Sequence, residues 1–375
     1  GMLGISDNHQ RLCFALALWN GKDPILKERL FGLSNREGNH GEDVKEYYFY
    51  LDNTPTHSYM KALYRYPQSE FPYQQLMAEN SRRGLKDPEF ELLDTGIFAE
   101  DRFFDLRVEY AKADVSDILI RIEATNQGPE AALLHVLPTL WFRNTWSWQA
   151  HQSKPCISIF TGTGGAAVLK AEHPALGTLW LGAESPAAIL FTENETNRRR
   201  LYGDLSTPPY AKDAFHDYVV NGNAASVNPA GTGTKAALHY HRLLAPGESW
   251  TMRLRLSHQP TAAVWFGAEF EAILAARKDE ADDFYQSLSA ATENEDARRI
   301  QRLSFAGLLW GKQFYHYVMT DWLKGDPLGP MPPASRFWGR NREWDHIHSD
   351  DVLSMPDKWE YPWFASWDLA FHCIP

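Results

Sequence analysis

The chain is poor in cysteine, with three in 375 residues, and that scarcity excludes a disulfide framework. Cys13, Cys156 and Cys373 lie far apart in apolar or strand-like contexts, so no zinc site is indicated and they read as reduced thiols of a cytoplasmic protein. Long apolar runs are missing too. Nothing approaches the roughly 18 residues that a membrane-spanning helix needs, and no basic region leads an apolar segment at the N-terminus. Gly1 ahead of Met2 reads as the remnant of a removed tag. Basic charge is in deficit: 37 Lys and Arg stand against 48 Asp and Glu, a formal net charge of −11 spread along the chain. An anionic surface repels phosphate backbones, so the expected partners include no nucleic acid and no membrane. Neither G-x-S-x-G, nor a P-loop, nor a dinucleotide fingerprint occurs, and no Ser-His-Asp or Cys-His arrangement was found; no cofactor is expected.

Aromatic and β-forming residues are abundant instead. The chain is 44% hydrophobic and 13% aromatic, ample for cores and long enough for two domains. From Arg11 to about Leu256, short β-rich runs are broken by Gly, Pro, Asn and Asp, which favours an antiparallel sandwich. The predicted strands cover Leu12–Trp19, Lys27–Leu33, Lys45–Leu51, Ser58–Tyr66, Phe103–Tyr110, Ile118–Thr125, Leu133–Leu140, Ile157–Phe160, Ala187–Phe191, Ala236–Leu243 and Trp250–Leu256, with one helical stretch near Phe71–Arg83. In Phe104, Leu106, Val108 and Tyr110 against Asp105, Arg107 and Glu109, alternation puts one face on a core and one in water. Residues 191–230 read as a long surface excursion, its run Arg198–Arg200 balanced by Glu193 and Glu195.

Beyond Pro260 the composition shifts toward Ala, Glu, Arg and Leu, and helices are predicted near Thr261–Ala290 and Glu293–Thr320. In the second, Ile300, Leu303, Phe305, Leu308, Leu309 and Phe314 form a stripe widened by Trp310, Tyr315 and Tyr317, so burial of much of its circumference is expected.

The chemistry-bearing residues concentrate near the C-terminus. Trp359, Trp363 and Trp367 recur every four residues, with Asp357, Glu360 and Asp368 between them. Trp offers a flat apolar face with one polar edge, which suits a sugar ring, and a carboxyl group among such rings can have its pKa raised enough to donate a proton. On a helix Asp368 and His372 share a face, so the histidine would hold the carboxyl; equally, Asp368 could cap a helix that starts there. Asp345, His346, His348, Asp350 and Asp351, following Arg340–Trp344, form a polar loop whose H-x-H spacing lacks a second ligand group, so the reading is no metal. Asp94–Asp105 reads as a second sugar-contacting loop or as a turn that pairs Arg102 with a neighbouring acid. Trp141–Trp148, with three tryptophans in eight residues, reads as a sugar-facing or interdomain surface, and Asn35–Glu42 as a polar turn.

Asn20–Pro24, Glu42–Asp52, Ile97–Asp105, Thr139–Trp146, Met355–Trp363 and Trp367–Asp368 together resemble bacterial glucosidase-like proteins of glycoside hydrolase family 63. The resemblance implies a mainly β chain: a β-sandwich over residues 1–258, a helical linker over 259–292, and from 293 to 375 the first helices of an incomplete (α/α)6 toroid. It implies hydrolysis of α-linked glucosides or related oligosaccharides by inversion, with Asp368 as general acid. Trp359, Trp363, Trp367, Arg340, His372 and Glu360 are the expected substrate-binding residues. The family's general base lies later in the toroid, and no residue here corresponds to it. An inverting glycosidase needs its carboxyl groups roughly 6.5–9.5 Å apart, so this polypeptide alone is expected to be nearly inactive. The apolar faces of residues 293–320 are candidates for homo-oligomer contacts or for association with a missing C-terminal part. The competing readings are a noncatalytic carbohydrate-binding or assembly module from a split or truncated gene, and a structural remnant without ligand.

Overall fold

Period-two alternation over Leu12–Trp19 and its successors produces strands, and the inward residues of two antiparallel sheets close over one another in a mainly β, sandwich-like computed structural model. It describes residues 2–34, 43–148, 153–160, 167–259, 265–288, 294–340, 342–355 and 363–374. The turn expected at Asn35–Glu42 lies, but for its flanks, outside these residues.

In chain order the strands are β1 (Met2–Ser6), β2 (Leu12–Trp19), β3 (Gly32–Leu33), β4 (Asp43–Val44), β5 (Tyr47–Asn53) and β6 (Tyr59–Pro67). After helix α1 (Tyr73–Ser81) come β7 (Phe103–Asp114), β8 (Asp117–Asn126), β9 (Ala132–Phe142), β10 (Cys156–Phe160), β11 (Ala167–His173), β12 (Gly177–Ala183) and β13 (Ala188–Thr192). Two short helices, α2 (Arg198–Tyr202) and α3 (Ala214–Val219), precede β14 (Thr232–Gly233), β15 (Lys235–Leu244) and β16 (Ser249–Ser257). The remainder holds α4 (Ala268–Leu288), α5 (Glu295–Trp310), β17 (Lys312–Val318), α6 (Met319–Lys324), β18 (His348–Ser354) and α7 (Ser366–His372).

One sheet runs β1-β2-β9-β15-β13 and the other β14-β10-β11-β12-β16-β8-β7-β6-β5. Between them lie Phe14, Leu16 and Leu18 of β2, Leu134, Val136, Leu140 and Phe142 of β9, and Tyr64, Phe104, Leu106, Ile120, Ile122 and Leu254 of the larger sheet, all buried. Each such side chain contributes about 1.5–3 kcal/mol of transfer free energy.

Both outer faces are partly covered, which the alternation did not foretell. On the larger sheet, Phe270, Leu274 and Ala281 of α4 pack against Tyr59, Ala111 and Leu119. The expected solvent side of β7 is therefore half closed: Asp105 and Glu109 are buried, the first paired with Arg65 at 3.0 Å and the second with Arg121 at 2.5 Å. On the smaller sheet, residues 191–230 form a lid rather than a bare excursion, because Phe215 and Val219 pack with Leu26, Ala17, Leu137, Leu190 and Ala237. The arginine run there pairs Arg198 with Asp204 and Arg200 with Asp213, while Glu193 and Glu195 pair with Lys154.

The expected helix to Thr320 ends at Trp310. Gly311 follows as its C-cap, and Lys312–Val318 is strand β17, paired in register with β18 from Lys312↔Ser354 to Val318↔His348. Aromatic and β-branched side chains in Phe314, Tyr315, Tyr317 and Val318 fit a pleated ribbon better than another helical turn. α5 is also less enclosed than expected. Ala306 and Trp310 are buried, but Ile300 is exposed. Trp310 fastens it to the sandwich, stacking on Tyr50 at 4.9 Å and donating its indole N–H to the carbonyl of Asp52 at 3.0 Å.

At the exit from β16, the ring of Trp265 lies directly over the backbone of Gly182 in β12, where any Cβ would collide with it. Trp265 is buried there, and its carbonyl accepts from Arg255.

Candidate functional site

Asp368 sits in the first turn of α7 as its third residue, half-buried, and Ala365 rather than Asp368 occupies the N-cap. His372 lies one turn on, but its Nδ1 is 3.2 Å from the Ser354 hydroxyl of β18. Among the described residues no hydrogen bond or ion pair joins His372 to Asp368, so the expected support of the carboxyl by the histidine is absent. The physical reason is local: Ser354 lies against α7 and satisfies the ring nitrogen first.

On either side of Asp368 in the sequence, Trp363, Phe364, Trp367 and Phe371 are exposed, Trp367 by 72%, and Trp367 meets Phe371 edge-on at 5.8 Å. Arg340 is exposed, two residues past a short 3-10 turn over Ala334–Trp338. Trp359 and Glu360 lie outside the described residues. In the polar loop, His346 stacks on Trp344 at 5.8 Å, whereas His348 in β18 faces His316 at 6.2 Å.

The segment Trp141–Trp148 is where the sandwich meets the β17–β18 ribbon. Trp148 stacks on His316 at 5.7 Å, the Arg143 guanidinium lies 4.9 Å above Phe314, and His9 approaches Asp350 at 3.9 Å. Trp146 donates to Glu195 at 2.9 Å. Of the three tryptophans Trp148 thus meets the ribbon, whereas Trp146 packs against the sandwich core and Trp141 belongs to β9. In the Asp94–Asp105 loop, Arg102 pairs with Glu100 and Glu130, which fits the turn alternative.

Charge patterning gave no warning of a polar network beneath the lid. Lys27 and Glu46 are almost wholly buried and 2.6 Å apart. Glu46 also accepts from the Tyr64 hydroxyl at 2.6 Å and the Phe31 amide at 3.0 Å. The Lys27 ammonium lies 3.9 Å above the Phe71 ring. Asp23 accepts from Tyr66 at 3.0 Å and from Tyr73. Burial raises the pKa of both carboxyl groups, opposed by the charge of Lys27. Next to this network opens a cleft of about 640 Å³, reached by Lys27, Tyr73, Trp141, Arg200, Lys212 and Lys235. Lys235 is held by Glu28 at 2.5 Å and Arg200 by Asp213, so the cleft is a field of paired charges. Such charges can orient a polar ligand by hydrogen bonds. Glu46 is sealed behind Lys27 and cannot reach it.

A second buried cation, Lys45, holds Asp43, Glu91 and Glu89 at 2.6, 2.9 and 3.3 Å. The ammonium already occupies the place that a metal ion would take between these carboxylates. All three cysteines are free thiols, and burial pushes the Cys13 thiol up to about 12, out of the reactive range.

No family model matches the chain. An uncharacterized protein of Saccharomyces cerevisiae is 41% identical over 417 residues, covering 100% of this chain. The chain spans 38% of that protein's length. Among solved structures, a polysaccharide lyase matches 70% of the chain and 27% of its own at 14% identity with a TM-score of 0.31. An Escherichia coli K12 protein described as an aldose 1-epimerase matches 64% of the chain and 83% of its own at 9% identity with a TM-score of 0.28. A human-microbiome protein described as a kojibiose phosphorylase matches 83% of the chain and 36% of its own at 9% identity with a TM-score of 0.26. All three are described as carbohydrate-processing enzymes, but likenesses this small assign neither topology nor activity.

Proposed function

We propose that this polypeptide is part of a carbohydrate-active enzyme of the family 63 type that hydrolyses α-linked glucosides or related oligosaccharides with inversion. The observation that carries the reading is the exposure of Trp363, Phe364, Trp367 and Phe371, the aromatic residues on either side of half-buried Asp368 in the sequence, with Trp367 and Phe371 in edge-on contact on α7. Exposed flat rings stack on sugar faces, and a carboxyl enclosed between a ring and a bound sugar loses its hydration and gains proton affinity. Asp368 is the general acid in this scheme. Trp359, Trp363, Trp367, Glu360, Arg340 and His372 line the sugar subsite, with residues 1–258, 259–292 and 293–375 as sandwich, linker and beginning of the toroid.

Asp368 lies in the first turn of α7, and in this scheme proton donation depends on closure over it by the substrate and by residues beyond those described. The base that activates water would come from a longer polypeptide of the yeast protein's length. Without it the loss is on the order of a hundredfold or more.

The test is hydrolysis of a nitrophenyl α-glucoside and of maltose-type disaccharides by this chain and by a chain of full relative length. Turnover in the longer form that disappears in Asp368→Asn supports the reading. Turnover that survives Asp368→Asn, or its absence from the longer form on every α-glucoside, removes it. Saturable glycan affinity without turnover in both forms would favour the binding-module alternative.

A further inference from the structure

The lid lies on the smaller sheet without filling the space beneath it. On the outward face of that sheet Ala15 stands opposite Thr139 and Ala17 opposite Leu137, and Trp141 is the cross-strand partner of Lys235. Alternation along β9 sends Leu140 and Phe142 into the core and leaves Thr139 and Trp141 on the other face. Small side chains at 15 and 17 make a floor, and Trp141 stands half-buried beside it. The cleft of about 640 Å³ above them has the size of a small-molecule site, for which about 300–1,000 Å³ is usual. We infer that this cleft binds a small organic anion, a carboxylate or a phosphate carried on a sugar ring.

Charge carries the argument. The chain as a whole has a formal net charge of −11, yet Lys27, Arg29, Arg200, Lys212 and Lys235 line the cleft against Glu28 and Asp213. Glu28 holds Lys235, Asp213 holds Arg200, and Glu46 behind the wall holds Lys27. Arg29 and Lys212 are left over: both are exposed, and neither has a carboxylate partner among the described residues. The backbone of Lys212 is fixed at the cleft, since its amide donates to the carbonyl of Glu195 at 3.0 Å and its carbonyl accepts from the Lys235 ammonium at 2.9 Å.

Two further lining groups are donors without partners. Nδ1 of His216 accepts from the Leu26 amide at 3.2 Å, so the ring carries a proton on Nε2, and that N–H is unmatched among the described residues. The indole N–H of Trp141 is unmatched in the same sense. Lys235 uses two of its three N–H groups, on Glu28 and on the Lys212 carbonyl. Such a lining calls for a ligand rich in acceptors, and charged donors bind an oxyanion roughly twice as strongly as neutral donors bind a neutral oxygen. A bare ion would leave the face of Trp141 unused, whereas a sugar ring can lie on it. None of these residues belongs to the subsite proposed around Asp368, so the two readings stand or fall separately.

The experiment is calorimetric titration of the chain with glucose 6-phosphate and with glucuronate, beside inorganic phosphate and glucose as the separate halves. Saturable binding of either anionic sugar, one per chain, is expected, and the one that binds assigns the oxyanion as phosphate or carboxylate. Each half alone should bind at least about tenfold more weakly. Lys212→Met changes an exposed side chain and keeps that residue's backbone bonds, and it should weaken binding at least about tenfold. Trp141→Ala should do the same in a protein whose circular-dichroism spectrum is unchanged. Absence of saturable binding by both sugars overturns the site. So does an affinity that Lys212→Met leaves unchanged, and so does phosphate binding as tight as that of glucose 6-phosphate, which would mean an adventitious ion only. Binding lost in Asp368→Asn but kept in Lys212→Met would put the ligand at α7 and overturn it as well.

Discussion

The two ends of the molecule treat the same residue types in opposite ways. In the sandwich, Phe14, Tyr64, Tyr66, Phe104, Tyr110 and Phe142 are fully buried, whereas Trp338, Trp344, Trp363, Trp367 and Phe371 in the C-terminal part are at least half exposed. The cause is architecture rather than composition. Two facing sheets of five and nine strands supply both walls of a core. The two-stranded ribbon β17–β18 and the seven-residue α7 supply one wall each, and units this small do not hold themselves together in water. Aromatics in the first region are fold; those in the second are available surface.

The largest effects that test this contrast lie inside the sandwich. Phe104→Ala should cost about 3–5 kcal/mol, read as a fall in the denaturation midpoint. Lys27→Met should cost a similar amount, about 3–5 kcal/mol, because Glu46 would stay buried without its counter-ion. Pairing it with Glu46→Leu should recover much of that loss, and a double variant no better than the single one would show that the pair acts through packing alone. At the seam, Trp310→Ala should cost roughly 3 kcal/mol. Its signature is faster proteolysis within residues 295–310 while the sheets keep their midpoint; a cooperative loss of both would erase the boundary between the two regions.

A smaller effect is tied to pH. Burial works to raise the pKa of Glu109, but hydrogen bonds from Tyr59 and Arg121 and the charge of Arg121 outweigh it, leaving the carboxyl below its ordinary value of 4.5. A depressed carboxyl contributes stability above its unfolded pKa and loses that contribution as pH falls through the folded one. Glu109→Gln should therefore cost roughly 1.5–3 kcal/mol near neutrality and flatten the acid limb below about pH 4.5. An unchanged slope in denaturant melts across that window would show that Glu109 is not the group responsible. Smallest of all, Trp367→Ala should shift stability by less than about 0.5 kcal/mol, measured by the same melts. A shift as large as that of Phe104→Ala would collapse the contrast itself.

Strands such as β2, β7, β8 and β16 were legible because alternating or apolar runs bounded by turn residues are a local signal. β11 and β12 were not, since Leu169–Lys170–Ala171–Glu172–His173 and Gly177–Thr178–Leu179–Trp180 have mixed propensity and are held by pairing with each other and with β10 and β16. β17 was misread because it follows α5 without a proline; Gly311 was the available stop signal. Asp368, Trp363 and Trp367 could be singled out from spacing, but the His372–Ser354 contact depends on β18 lying beside α7. Lys27, Glu46 and Asp23 look like ordinary exposed charges in sequence. Their network exists only because the loop carrying Asp23 and Lys27 and the residue just before β5, Glu46, close over Tyr64 and Tyr66 of β6 and over Phe71 and Tyr73.

The seat of Trp265 on Gly182 fixes an order of assembly. Gly182 belongs to β12, and the surface it offers is complete only when β12 has paired with β16, 70 or so residues later in the chain. Until then the indole has nothing to lie on, and α4, which begins three residues beyond it, has only its own packing on Tyr59, Ala111 and Leu119 to hold it. The helical part is thus a passenger on a finished sheet. Exchange of amide hydrogens should protect β12 and β16 before α4 during refolding, and a side chain as small as that of Gly182→Ala should delay the helix while sparing the strands.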